Sequence, residues 1–250
     1  IDEGLVGSEM CIRDRFKEGD LVILGGVGGH DTGARLHQIL NERKIDYFNV
    51  EKGYCNWWKP KFWRLTFNEN QITEIKGQWD NKRFTAFNMP MRPMKKDGEQ
   101  VYIVAPSQNG FDIYDLPIKV DDWIEQTVTE VKKYTDRPIK IRRKVPKKAR
   151  GSRGFCDTLD NIYCVISLHT MAVTEVLREG IPVISMHPGV LKNYSSNKIS
   201  QINNLYYPSD TERGKLFNCL TNIQFTNQEL VDGEALETMC DYYGIKILPK

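Results

Sequence analysis

The sequence lacks both long apolar runs and paired cysteines. No stretch approaches the roughly 20 apolar residues that a membrane-crossing helix needs, and the N-terminal residues do not combine a basic start with an apolar stretch. We therefore expect a soluble protein of the cytoplasm. The six cysteines are scattered, with no CxxC pair and no histidine at matching spacing, so neither a zinc site nor a disulfide framework is indicated.

Strong net charge and paired acidic motifs are absent as well. The net charge is only +2, so any attraction for anions has to come from local clusters of basic residues. No DxD-like motif is present, and Asp121-Asp122 is interpreted as a helix cap, so no metal or cofactor is expected. With 40% hydrophobic and 27% charged residues over 250 positions, the composition is that of a globular protein of one large or two small domains.

The N-terminal residues stand apart from the rest. Leu5 to Asp14, LVGSEMCIRD, resembles the in-frame translation of a transposase adapter used in sequencing libraries, and the alternative is an ordinary polar tail. On the adapter interpretation, residues 1–15 are a non-native tail. The domain that follows, residues 16–96, is then expected to lack its first strands and helices.

An α/β pattern begins at Asp20. Leu21 to Leu24 is an apolar strand, a glycine-rich turn follows, Ala34 to Arg43 has helical spacing, and Tyr47 to Val50 is a second strand. This order predicts a βαβ unit with a parallel strand pair. The aromatic-rich stretch that follows is expected to form short strands and loops, and Met89 to Gly98 is the best candidate for a linker.

A second α/β run occupies residues 97–250. Its predicted strands are Val101 to Ala105, Ile139 to Ile141, Tyr163 to Ser167 and Pro182 to Met186, and its predicted helices are Asp121 to Tyr134 and Met171 to Arg178. Because strands alternate with helices, we expect a Rossmann-like parallel sheet with right-handed crossovers. Ligands then belong at the carboxyl ends of its strands.

The turn between the strand at Tyr163 and the next helix is a candidate anion site. His169 and Thr170 lie there, where free main-chain N–H groups and the helix dipole favour a phosphate. Glu175 follows early in the helix and could accept from sugar hydroxyls. The alternative is that Thr170 only caps the helix and Glu175 is solvated.

A basic stretch, IKIRRKVPKKARGSR, runs from Ile139 to Arg153. The strand delivers the first basic residues to the carboxyl edge of the predicted sheet, where a diphosphate needs neutralising, and Arg142 and Lys144 are the candidate phosphate ligands. The alternative is a solvated loop, and the outer lysines could also face a polyanion such as DNA. A glycine-rich turn, Gly25 to Gly29, gives only a weak dinucleotide signal with Glu51 as the ribose acid, because Asp31 replaces the third glycine of GxGxxG.

Four segments resemble, in the same order, motifs of GT-B-type glycosyltransferase-like proteins found in phages and bacterial polysaccharide loci. The segments are Gly53-Tyr54 with Phe62 to Asn68, Arg142 to Pro146, Ser167 to Ile184, and Gln224 to Leu230 with Gly233 to Ala235. The resemblance implies two Rossmann-like domains with parallel sheets, of which the C-terminal one binds a nucleotide sugar and the N-terminal one offers the acceptor, a glycan or a modified DNA base.

The resemblance also implies roles for individual residues. Ser107, and with it Asn109, would lie near the donor phosphates, and His30 or Asp31 would act as the base on an acceptor hydroxyl. The aromatic cluster around Trp57 and Trp63 could stack a sugar or form core. Two alternatives stay open: a non-catalytic nucleotide- or partner-binding protein of the same fold, and a nucleotide-sugar epimerase.

Overall fold

The computed structural model describes residues 21–25, 31–55, 61–113, 116–143, 159–168, 170–187 and 189–246, except the side chains of residues 31–34, 109, 112 and 113. The strands are β1 (Leu21–Gly25), β2 (Asp46–Lys52), β3 (Trp63–Phe67), β4 (Gln100–Val104), β5 (Ile139–Arg142), β6 (Ile162–Ser167), β7 (Val183–Ser185) and β8 (Gln224–Phe225). The helices are α1 (Asp31–Arg43), α2 (Lys82–Ala86), α3 (Gln108–Ile113), α4 (Val120–Val131), α5 (Ala172–Arg178), α6 (Asp210–Asn222), α7 (Asn227–Val231) and α8 (Glu234–Tyr243), with a 3-10 turn at Ile199–Gln201.

The first sheet has the strand order β1-β2-β3-β8 and is mixed. β1 and β2 are parallel and joined through α1, as the sequence predicts. β3 and β8 run antiparallel to their neighbours, so the expectation of a parallel sheet in this half of the chain is wrong for these strands. The physical reason is the length of the connection: about ten residues separate β2 from β3, fewer than the dozen or more that a parallel crossover needs, so an antiparallel pair is favoured.

α1 is held on β2 by a closed ring of three side-chain hydrogen bonds. The Tyr47 hydroxyl donates to Oδ1 of Asn41 at 3.2 Å, and the Asn41 amide donates to Nδ1 of His37 at 3.3 Å. Nε2 of His37 lies 2.7 Å from the Tyr47 hydroxyl oxygen, which leaves Nε2–H as the donor of the third bond. The ring therefore requires a neutral His37, and burial lowers the pKa of that imidazole.

The second sheet has the order β5-β4-β6-β7 and all its strands are parallel. Helices cover both faces. On one face α5 packs its buried Val176 and Leu177 into a core that includes Val104. On the other face α4 packs Trp123 into a second core that includes Ile103. This confirms the predicted parallel α/β sheet and the strand, helix, strand unit β6-α5-β7.

The predicted linker, Met89 to Gly98, packs against the end of α5 and the turn that follows this helix. The Arg92 N–H donates to the Arg178 carbonyl at 2.8 Å and the Lys95 N–H to the Gly180 carbonyl at 2.7 Å. Gly180 has a φ of +79°, and a Cβ there would lie 2.0 Å from the Pro93 carbonyl oxygen. The division into domains at residues 96 and 97 stays a prediction.

One apolar core reaches both sheets. It joins Phe48 and Leu65 of the first sheet to Val104 and Val165 of the second, and it includes buried side chains of α6 and α8. Within the residue ranges given above, no helix has the length and apolar character that a bilayer crossing requires.

Candidate functional site

The carboxyl edge of the second sheet brings four residues into one register row. Val104 pairs with Arg142 on one side and with Ser167 on the other, and Ser167 pairs with Ser185. Residues in register on parallel strands point to the same face, and Val104 belongs to the core under α5. The row therefore lies on the α5 face. With strands about 4.8 Å apart, the Cα atoms of Arg142 and Ser167 are roughly 10 Å apart.

Two serines of this row were not singled out from the sequence. Ser167 and Ser185 are buried, and their hydroxyls donate to the carbonyls of Val104 at 3.1 Å and His187 at 3.3 Å. Each is the last residue of an apolar strand, so the hydrophobic periodicity of the sequence does not distinguish it from the rest of the strand. The usable signal is a hydroxyl residue at the last position of a buried strand, directly before a turn. There a hydroxyl can exchange a main-chain bond for a ligand bond at small cost.

Thr170 and Glu175 lie at the start of α5. The helix has Met171 as its N-cap, without a side-chain cap bond, so Thr170 is not the N-cap, and its hydroxyl accepts from the Ala172 N–H at 3.4 Å. Both side chains are half-buried. Burial raises the pKa of the Cys55 thiol to about 12, and the nearby negative charge of Glu175 adds to that rise.

The end of β2 meets α5. The Thr174 hydroxyl, which donates to the Met171 carbonyl of its own helix at 2.8 Å, also lies 3.3 Å from the Tyr54 carbonyl. Cys55, which follows Tyr54, is held by Gln224: the Gln224 carboxamide accepts from the Cys55 N–H and donates to the Cys55 carbonyl, each at 2.8 Å. The buried guanidinium of Arg64 donates to the Lys52 carbonyl at 2.5 Å. These contacts place the carboxyl end of β2 beside α5.

The two segments of the first sheet that carry the family resemblance, Phe62 to Asn68 and Gln224 to Leu230, pair with each other and cap a helix. Trp63 pairs with Phe225, so the segment beginning at Phe62 and the segment beginning at Gln224 lie side by side. Thr226 is the N-cap of α7 and Glu229 closes its capping box while pairing with Arg83. Among the aromatics, Tyr54 and Phe62 are core and Trp63 is half-buried with its Nε1 on Asn227, while Trp57 lies outside the described residues.

Ser107 follows β4 at the same edge. It is half-buried, and its carbonyl accepts from the Gly110 N–H at 2.8 Å in the turn that opens α3. α3 contacts α1, so the turn after β4 lies near the helix that follows the glycine-rich turn. Asp31 is the first residue of α1. Glu51 bonds its own neighbour, accepting from the Lys52 N–H at 3.0 Å.

The structure therefore places Ser107, Arg142 and Thr170 at the same edge of the second sheet: Arg142 ends β5, and Ser107 and Thr170 each lie three residues after the end of a strand. Lys144, His169 and His30 lie outside the described residues, as do the side chains of Asp31 and Asn109. Asp121 is not a cap: Lys119 is the N-cap of α4, and Asp121, in the first turn, pairs with Arg143.

Comparison with known proteins adds no identity. No protein-family model matches the chain, and no curated protein is significantly similar to it. In the part of the chain that the structure describes, no three His, Cys, Asp or Glu side chains come together as metal ligands would.

Proposed function

We propose that the carboxyl edge of the second sheet binds the diphosphate of a nucleotide sugar, and that the chain is a glycosyltransferase. The observation that carries the proposal is the register row at the strand ends, in which Arg142, Ser167 and Ser185 lie side by side with Val104. Ser107 follows β4 and Thr170 follows β6 at the same edge. In open parallel sheets ligands bind outside the carboxyl ends of the strands, and this row lies at that end.

The residue types suit a diphosphate. A guanidinium can hold two phosphate oxygens through its planar fork, so Arg142 is assigned to the diphosphate. The hydroxyls of Thr170 and Ser107 can donate to further phosphate oxygens. Lys144 and His169 would add charge and main-chain donors at the same edge, and Glu175 would accept from a sugar hydroxyl.

The reaction is a displacement at the anomeric carbon of the donor sugar. The acceptor oxygen forms a bond to that carbon, and the bond from the carbon to the diphosphate oxygen breaks with its electron pair leaving on the diphosphate. The acceptor proton passes to a base, for which His30 and Asp31 are the candidates. Arg142 lowers the barrier by stabilising the charge that develops on the leaving diphosphate. The acceptor is a glycan or a modified DNA base.

The test is a panel of UDP- and GDP-sugars, followed by thermal shift and by release of nucleoside diphosphate. We expect at least one donor to raise the melting temperature of the native chain, and Arg142→Ala to abolish that shift. The matched control is Arg143→Ala, which changes the next residue, exposed and paired with Asp121, and should keep the shift. Stabilisation without release on any acceptor would favour a non-catalytic binder, and conversion of the donor sugar itself would favour an epimerase. No shift with any nucleotide contradicts the proposal.

A further inference from the structure

Among the strands that the structure describes, β5 lies at the edge of the second sheet. Among the described residues it pairs only with β4. The Val101 N–H donates to the Pro138 carbonyl at 2.9 Å and the Ala105 N–H to the Arg142 carbonyl at 3.0 Å. Because main-chain groups alternate between the two edges of a strand, those of Ile139 and Ile141 point away from β4.

A groove runs between this edge and α4. It encloses about 480 Å³ and has Val128, Ile139 and Ile141 as its apolar walls. Ile141, on the groove side of the edge strand, is 43% exposed. An added strand would bond the main chain of Ile139 and Ile141 and lay every second side chain into this groove.

The charges around the edge indicate which strand would fit. Exposed Lys132 borders the groove, and Arg137, which also lines it, donates to the Gly98 carbonyl at 2.8 Å. Asp136 is the carboxylate that lines the groove. On the opposite face of β5, exposed Lys140 lies with its Nζ 5.4 Å from the centre of the Tyr102 ring. The groove face of the edge therefore combines apolar side chains with two cations and one carboxylate, and the opposite face carries Lys140, so both faces have a net positive charge.

A second copy of the chain does not fit this pattern. Antiparallel pairing of two β5 edges about a twofold axis sets Lys140 opposite either Lys140 or Arg142 of the other copy. Like charges directly opposite destabilise a strand pair, and lysines on edge strands act against pairing of this kind. The occupant thus has to carry the opposite charge.

We propose that the β5 edge binds an extended segment of another protein in which apolar and acidic residues alternate. Its apolar side chains lie in the groove against Ile139 and Ile141, and its carboxylates lie beside Lys140.

The probe is a short fluorescent peptide that alternates valine and glutamate, compared with one that alternates valine and lysine, and its binding to the full chain is followed by anisotropy. We expect the glutamate peptide to bind with a Kd below about 1 mM and at least about tenfold more tightly than the lysine peptide. Lys140→Glu should weaken binding of the glutamate peptide by about tenfold and strengthen binding of the lysine peptide. Lys192→Glu, which changes an exposed lysine elsewhere, is the matched control and should change neither.

Ile141→Pro gives the second test. It removes an N–H that the sheet does not use, and proline is tolerated where an edge strand faces solvent, so the fold should persist by circular dichroism while peptide binding falls about tenfold. Equal binding of both peptides, no binding of either, or dimerisation of the chain through this edge in light scattering would each overturn the proposal.

Discussion

Gln224 ties the last strand of the first sheet to the end of β2, and its removal should be costly. The side chain is fully buried, and its carboxamide accepts from the Cys55 N–H and donates to the Cys55 carbonyl, each at 2.8 Å. Gln224→Leu keeps roughly the same volume and leaves both main-chain groups buried without a partner. Each such group costs about 1 to 3 kcal/mol, so we expect a loss of about 4 kcal/mol and a melting temperature lower by roughly 10 °C.

The assay is chemical and thermal unfolding followed by circular dichroism. Gln228→Leu is the matched control, because that glutamine is exposed and bonds only Asp232 on the surface at 2.8 Å among the described contacts, and its change should stay within about 0.5 kcal/mol. A loss for Gln224→Leu below about 1 kcal/mol would refute the reasoning. It would mean that Cys55 finds other partners or water when the amide is gone.

Further predictions concern a glycine and a histidine. Gly180→Ala should destabilise the chain by about 3 kcal/mol or more, since the left-handed backbone and a Cβ 2.0 Å from the Pro93 carbonyl oxygen both add to the cost. Gly214 lies in α6 with open space around it, so Gly214→Ala should raise the free energy of unfolding by up to about 1 kcal/mol in the same assay. His37 has a pKa below its ordinary 6.5 in the folded chain, so its contribution is complete above pH 6.5 and is lost as the pH falls toward the folded-state pKa. The unfolding free energy of the native chain should therefore fall more steeply between pH 6.5 and 5 than that of His37→Gln, and parallel curves would contradict this account.

Much of the second sheet could be predicted because its signals are local. β6, α5 and β7 match the predicted elements to within about one residue, since an apolar run, a helical period and a Gly-Ile-Pro step follow one another directly. The return of the chain to the first sheet could not be predicted. β8 has two residues, Gln224 and Phe225, too few for a period, and its partner β3 lies far away in sequence.

The candidate site could be predicted as a location more than as a set of contacts. The rule that ligands bind at strand ends correctly places Ser107, Arg142 and Thr170 at one edge. It does not say that the charge of Glu175 lies near enough to Cys55 to raise the pKa of that thiol, because the neighbours of a short helix depend on long-range packing. Ser167 and Ser185 were missed because a buried serine that ends a strand has no periodic signature.

The most direct test of the central claim is calorimetric titration of UDP and GDP, with uridine and guanosine as references, into the native chain and into Arg142→Ala and Arg143→Ala. We predict that one diphosphate binds far more tightly than its nucleoside, and that Arg142→Ala weakens it by about 10- to 150-fold, the loss of a charge-assisted hydrogen-bonded pair worth about 1.5 to 3 kcal/mol. Arg143→Ala should change it less than about threefold. Equal affinities for diphosphate and nucleoside, or equal effects of the two arginine variants, would contradict the assignment of this edge to a nucleotide sugar.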